Sequence, residues 1–271
     1  MGPEIVEGTQ VAGDRAPAKP EDLARTSLRE YLESLLVTVI LALFGTTFVV
    51  QAFKIPSESM EPTLLVGDHL LVNKFIFGGR GHWYDAVLPY RSIRRGDVIV
   101  FKFPFQDHPH YVKRVIGLPG DRIRIVDQQV YLNGQRLNEP YAYHDPAAPY
   151  DPFLYNFPPA SPDELLSSMQ PEWSDQVFQY VRAGELVVPP GKYFAMGDNR
   201  DHSWDSRYWG FVDREAIMGR PVVIYWSVVT AEEQDDGAER PSFLSVLQGI
   251  FDTLIHMPER TRWHRMLHTV H

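Results

Sequence analysis

The chain has 271 residues, 44% of them apolar and 23% charged, which is enough to bury a sizeable core in one or two domains. A formal net charge of −9 argues against nucleic acid as a partner. The absence of cysteine excludes a disulfide framework, thiolate catalysis and Cys-ligated zinc. Abundant proline (22) and tyrosine (13) favour a loop-rich β protein over a helical bundle.

Residues 1–26 mix Gly, Pro, Ala and charges without an apolar period and read as a disordered cytoplasmic tail. Ser27-Leu-Arg-Glu30 has capping-box spacing and predicts a helix start. From Ser34 to Phe53 run twenty residues without a charge, about enough to cross a bilayer as a helix. The expectation is a transmembrane helix over 27–53. A buried soluble helix would normally show a polar face. A cleaved signal peptide, with Val50-Gln-Ala52 as a weak cleavage site, is disfavoured by the length of the run and the long polar segment ahead of it. Arg15, Lys19, Arg25 and Arg29 precede the run, whereas Lys54 is alone in the first stretch after it. The positive-inside rule then places the N-terminus in the cytoplasm and the rest outside.

Short alternating runs follow. Asp68–Asn73, Asp97–Phe103, Arg122–Val126 and Gln129–Asn133 predict strands, as do Leu186–Val188, Lys192–Met196 and Pro221–Trp226. Turn signals separate them, and Asn133-Gly134 predicts a tight hairpin. The expected catalytic domain is 54–230. Within it, 138–185 is rich in proline and aromatics and reads as an inserted subdomain, with a short helix beginning at Ser161-Pro-Asp-Glu164. Residues 231–271 read as a linker and a C-terminal helix. Its apolar residues between Phe243 and Met257 follow a helical period, which suits an amphipathic helix packed on the domain or on a membrane.

Three stretches hold candidate chemistry: Ile55–Leu65 with Ser57 and Ser59, Tyr111–Asp121 with Lys113, and Met196–Gly210. Taken singly, each has a plain reading. The serines suit a polar turn, Lys113 an exposed strand position, and the Asp-rich stretch lacks the Gly and Glu of an EF-hand loop. His108 and His110 lack a third partner for a metal. No metal and no cofactor is expected.

Together, and in this order with the Gly96–Phe101 strand between them, these stretches resemble the type I signal peptidase family, membrane-anchored Ser-Lys proteases. The resemblance covers about Phe53 to Trp226. It implies a mainly β, antiparallel catalytic domain on the outer face of the bacterial plasma membrane, anchored by a single pass. It implies cleavage of signal peptides from exported preproteins after small residues, Ala-x-Ala. By position, Ser59 matches the nucleophile and Lys113 the general base. Ser57 matches the hydroxyl of the oxyanion hole, with the Ser59 N–H as the second donor. Ser203 matches the serine that orients the lysine, and Asp205 with Arg207 a supporting ion pair. Phe53, Ile55, Pro56, Met60, Leu64, Tyr111 and Val112 are the expected substrate-binding residues. The partners implied are preprotein signal peptides and membrane lipid, with no nucleic acid; the oligomeric state stays open. Two positions depart from the family pattern: Glu58 stands where small residues are common, and His202 where asparagine is frequent.

The chemistry is consistent with these residue types. A serine needs a base to take its proton. A lysine in water is neutral only roughly once in 2,500 at pH 7, so the base must be desolvated. Tyr111, Val112, Val115 and Ile116 around Lys113 suit that, and strand alternation should turn Arg114 to the other face. Two other readings compete. A self-cleaving repressor would carry a DNA-binding domain ahead of the serine, and a non-enzymatic tethered module would have lost one of Ser59, Lys113 and Ser203.

Overall fold

The computed structural model describes residues 20–45, 50–78, 90–103, 110–161, 169–229 and 258–271. The chain divides into two compact units, Met1–Thr46 and Thr47–His271. The first contributes helix α1 (Pro20–Phe44). Proline suits the first position of a helix, and the start lies ahead of the capping box expected at Ser27.

The uncharged run does not form one helix. It is helical to Phe44, and Val50–Lys54 forms the edge strand β1. The apolar helical part, Leu35–Phe44, rises about 15 Å, half of a ~30 Å hydrocarbon core. No helix among the described residues is long and apolar enough to cross a membrane. The helix expected to run to residue 53 gives way to the strand at Val50–Lys54, and that bound is corrected. The apolar side chains of α1, among them Leu36, Ile40, Leu41 and Phe44, are exposed.

The second unit is built on antiparallel strands: β2 (Asp68–Asn73), β3 (Val98–Lys102), β4 (His110–Gly117), β5 (Arg122–Val126), β6 (Gln129–Leu132), β7 (Gln135–Arg136), β8 (Val181–Arg182), β9 (Glu185–Val187), β10 (Lys192–Met196), β11 (Val212–Asp213), β12 (Ile217–Ser227) and β13 (His268–Thr269). One sheet runs β1-β2-β12-β3-β4-β10-β11, with β13 added beside β12; a second runs β7-β6-β5-β9-β8. The mainly β expectation holds, and the alternating runs named from sequence are strands. Asn133 and Gly134 both have positive φ (52° and 80°) and join β6 to β7 by a two-residue turn. That is the backbone such a turn needs, and Asn-Gly supplies it at least cost.

Two apolar clusters form the core. Ile55, Met60, Leu64, Leu70, Val72, Val98, Val100, Ile224 and Val270 make the smaller one, beneath β1 and β2. The larger packs β4 and β10 against the second sheet, through Ile116, Ile123, Leu186 and Phe194. Trp209 is buried in it and Trp204 packs on its edge. Trp226 lies against His69 and donates to Thr261 Oγ1. These tryptophans are packing residues. The helices expected after Ser161 and over 243–257 lie outside the described residues.

The described end of the chain folds back onto the main sheet. β13 pairs with β12, and Val270 enters the smaller core. Arg265 donates to both oxygens of Asp68 (2.6 and 3.2 Å) and to the Thr63 carbonyl (3.0 Å). Asp68 is fully buried and also accepts from Ser227 Oγ (2.6 Å) and the Leu65 N–H (2.9 Å). Arg262 donates to the Val66 carbonyl. Residues 63–68 are thereby held from both sides. Removing Arg265 leaves a buried carboxylate short of its cation. Arg265→Ala is expected to cost about 3 kcal/mol in denaturant unfolding, the low end for a broken buried pair because the guanidinium keeps some water. A loss below about 1 kcal/mol would contradict the clamp, since that is what an exposed pair gives.

Candidate active site

β1 leads through Ile55 and Pro56 into a 3₁₀ turn, Glu58–Met60, that carries Ser59. Ile55 is tied to the start of β2, its N–H donating to Asp68 O and its O accepting from the Gly67 N–H. The turn is therefore fixed at both feet. Lys113 lies mid-sheet on β4, opposite Ile99 of β3. Its neighbour Arg114 is opposite Val98 and Met196 at the end of β10. The loop after β10 brings the third stretch, Gly197–Arg207, over both.

Lys113 Nζ donates to Ser59 Oγ at 2.5 Å. Lys113 is 2% exposed and Ser59 9%, so the contact is dry. Burial pushes the ammonium down to about 8; Asp205 opposes this, Arg207 adds to it, and Asp198 opposes it. The fall from 10.5 is a penalty of about 3 kcal/mol on the charged form. At pH 7 roughly one lysine in ten is then neutral, against one in 2,500 in water. A neutral amine at this distance can take the proton of the hydroxyl. Ser57 Oγ lies 3.4 Å from Ser59 Oγ, so the two hydroxyls face the same space.

The charges around the lysine are paired. Arg207 holds Asp205 through Nε and Nη2, both at 2.8 Å, with both side chains buried. Burial alone would raise Asp205, but the charge and hydrogen bonds of Arg207 outweigh it and keep the carboxyl below its usual range. Asp205 also accepts from the Gly197 N–H. Arg114 grips Asp198 with two bonds (2.8 and 2.7 Å), and Asp198 accepts from Thr63 Oγ1 at 2.6 Å. Arg114 thus turns away from Lys113, as alternation predicts; the cation acting on the lysine is Arg207.

Ser203 is also brought into this region. It is buried, and its hydroxyl makes no hydrogen bond among the described residues, so the expected bond to Lys113 is not formed here. Gly197 explains how closely the parts meet. A Cβ there would lie 2.2 Å from Ser203 Oγ and 2.3 Å from the Ser59 carbonyl. Sequence reasoning gave no role to this glycine, nor to Asn199, whose N–H donates to Ser59 O and whose side chain donates to Glu58 O. The Met196-Gly-Asp-Asn stretch was the available signal, but glycine in a loop has many causes.

The expected substrate-binding residues fall into three environments. Ile55, Met60 and Leu64 are core residues beneath the turn. Phe53 and Val112 pack on that core from a partly exposed position, and Pro56 is exposed. Tyr111 instead joins the aromatic group of Phe101, Phe103 and Trp204. His110 lies against Phe53 and His108 is outside the described residues. No group of three metal-ligating side chains occurs among the described residues.

Comparison with known proteins gives the family. The family described as "Signal peptidase, peptidase S26" matches residues 28–226. A signal peptidase I from Pseudomonas aeruginosa is 37% identical, covering 78% of this chain and 77% of that one. A probable signal peptidase I-2 from Synechocystis sp. is 33% identical, covering 82% and 84%. A solved signal peptidase I from Enterococcus faecalis V583 is 31% identical over 48% of this chain and 97% of that one, with a TM-score of 0.31. With a family match over most of its length and relatives this similar, the chain belongs to the signal peptidase family, peptidase S26, and is a peptidase.

Proposed function

We propose that the chain is a Ser-Lys endopeptidase that removes signal peptides from exported preproteins, with Ser59 as nucleophile and Lys113 as general base. The observation that carries this reading is the buried 2.5 Å contact from Lys113 Nζ to Ser59 Oγ. Neutral Lys113 takes the Ser59 proton as Oγ attacks the scissile carbonyl. The tetrahedral oxyanion forms beside the turn, where the Ser57 hydroxyl and the Ser59 N–H are its donors. Lys113, now charged, gives its proton to the leaving amine, and water then cleaves the acyl-enzyme by the same route in reverse. Ser203 would steady the lysine as its proton moves; it is buried, and its hydroxyl has no hydrogen-bond partner among the described residues. The pair Asp205–Arg207 fixes that loop by holding Gly197 and the carbonyl of Arg200.

Cleavage after small residues, Ala-x-Ala, fits a shallow surface. Phe53 and Val112 offer partly exposed apolar contact, while Met60 and Leu64 are buried in the core beneath the turn. The exposed apolar side chains of α1 would hold the enzyme at membrane lipid, where a signal peptide's apolar segment also lies. Loss of binding to phospholipid vesicles on deleting residues 20–46 tests that contact; full retention would remove it.

Cleavage of a preprotein by the detergent-solubilised chain should be abolished by Ser59→Ala and by Lys113→Ala. Full activity in either variant would overturn the mechanism. Ser57→Ala should lower kcat by ~10²–10³ if its hydroxyl is an oxyanion donor; an unchanged kcat would remove that role. The rate should rise with pH through a group near 8, because Lys113 acts only when neutral and burial holds it at about 8. A limb near 10.5, where Lys113 would titrate without the shift, would contradict the dry contact.

A further inference from the structure

Glu58 lies inside the serine turn, between Ser57 and Ser59, and its side chain is 58% exposed. It meets His202, whose Nδ1 lies 3.6 Å from Glu58 Oε1. The other ring nitrogen, Nε2, is 3.0 Å from Asp145 Oδ2. One imidazole therefore sits between two carboxylates from two other segments. Each segment is anchored in its own right. Asp145 donates its backbone N–H to Asp201 Oδ2 (2.8 Å) and its side chain accepts from the Ala147 N–H. Asp201 accepts from Gln128 Nε2 and faces His144 at 3.7 Å. Glu58 O accepts from Asn199 Nδ2, and Ser59 O from the Asn199 N–H. His202 itself immediately precedes Ser203.

We propose that His202 is a positioning residue for the reaction: its imidazolium clasps Glu58 to Asp145 and so fixes the Ser57–Ser59 turn against the loop that carries Ser203. The proposal rests on the Ser59–Lys113 reading above. The two bonds that Asn199 donates, from its side chain to Glu58 O and from its N–H to Ser59 O, fix one side of the turn, and the clasp fixes the side that faces solvent. A turn that swings there moves Ser59 Oγ and Ser57 Oγ together, and small misplacements at a reacting centre are costly.

The clasp depends on pH, and the charged groups facing the ring are all acids: Glu58, Asp145 and Asp201. The hydrogen bond to Asp145 raises His202 above its ordinary 6.5, while slight desolvation works the other way and Glu58 adds to the rise. A histidine raised in the folded chain contributes fully below 6.5 and loses its contribution as pH climbs through the raised value. The clasp is closed on the acid side and opens on the alkaline side, while Lys113 is activated in the opposite direction.

The test compares kcat of the full chain and its His202→Asn variant on one preprotein across pH. At about pH 6.5 the variant should be slower by about two- to fivefold, the range of a partly exposed ion pair. By about pH 9 the two should converge, because a neutral imidazole no longer bridges two carboxylates. Glu58→Gln should show the same pH-dependent deficit, and the double variant should be no slower than either single one. A purely structural loss would give a ratio independent of pH. A flat ratio, or additive effects in the double variant, would overturn the clasp. If Ser59→Ala remained active, the dyad reading itself would fall; if Ser59→Ala is dead and the ratio is flat, only the clasp falls.

Discussion

The proposed reaction sets one constraint on this chain: a lysine must lose its proton at physiological pH while standing 2.5 Å from a serine hydroxyl. Water defeats that arrangement, so the site must be dry. The two apolar clusters that flank β4 supply the dryness. Burial alone is not enough, because unpaired charges nearby would restore or overshoot the shift. Asp205 and Asp198 both favour the ammonium, and each is neutralised by an arginine, Arg207 and Arg114. The net result leaves Lys113 at about 8.

The same ion pairs also set geometry. Asp198 holds Thr63, just beyond the serine turn, and is held in turn by Arg114, next to the lysine. Arg265 reaches the carbonyl of the same Thr63 from the far end of the chain. Arg114 also donates to the carbonyl of His271. Serine and lysine are thus fixed relative to one another by a short, buried series of charge-assisted bonds. This is where a protein gains from arginine, whose planar fork binds a carboxylate with two bonds at once. Gly197 completes the fit by leaving out the one carbon that would separate Ser59 from Ser203.

The strands with one buried face were legible in the sequence, since alternation reports that environment directly. β2 is the clear example, its residues alternating between buried and partly exposed. β1 was hidden because an unbroken apolar run carries no period, and Val50–Phe53 looked like the end of a helix. Its strand state comes from pairing with β2, which no local signal encodes. In the site, the serine turn, the lysine and the Asp205–Arg207 pair were legible from the resemblance. Arg265, Thr63 and the Glu58–His202 approach were not, because those partners meet only through the sheet order. The bond expected between Ser203 and Lys113 is absent here for a related reason: proximity in a motif places a residue in a region but does not choose its hydrogen-bond partner.

Direct titration of Lys113 tests the central claim most closely. With ¹³C-labelled lysine, the Cε resonance of Lys113 can be assigned by its loss in Lys113→Ala and followed by NMR as pH is varied. The account predicts a midpoint at about 8. A Lys113 midpoint near 10.5 would mean that the lysine is solvated and charged in solution, and the dry contact with Ser59 would not describe the working enzyme.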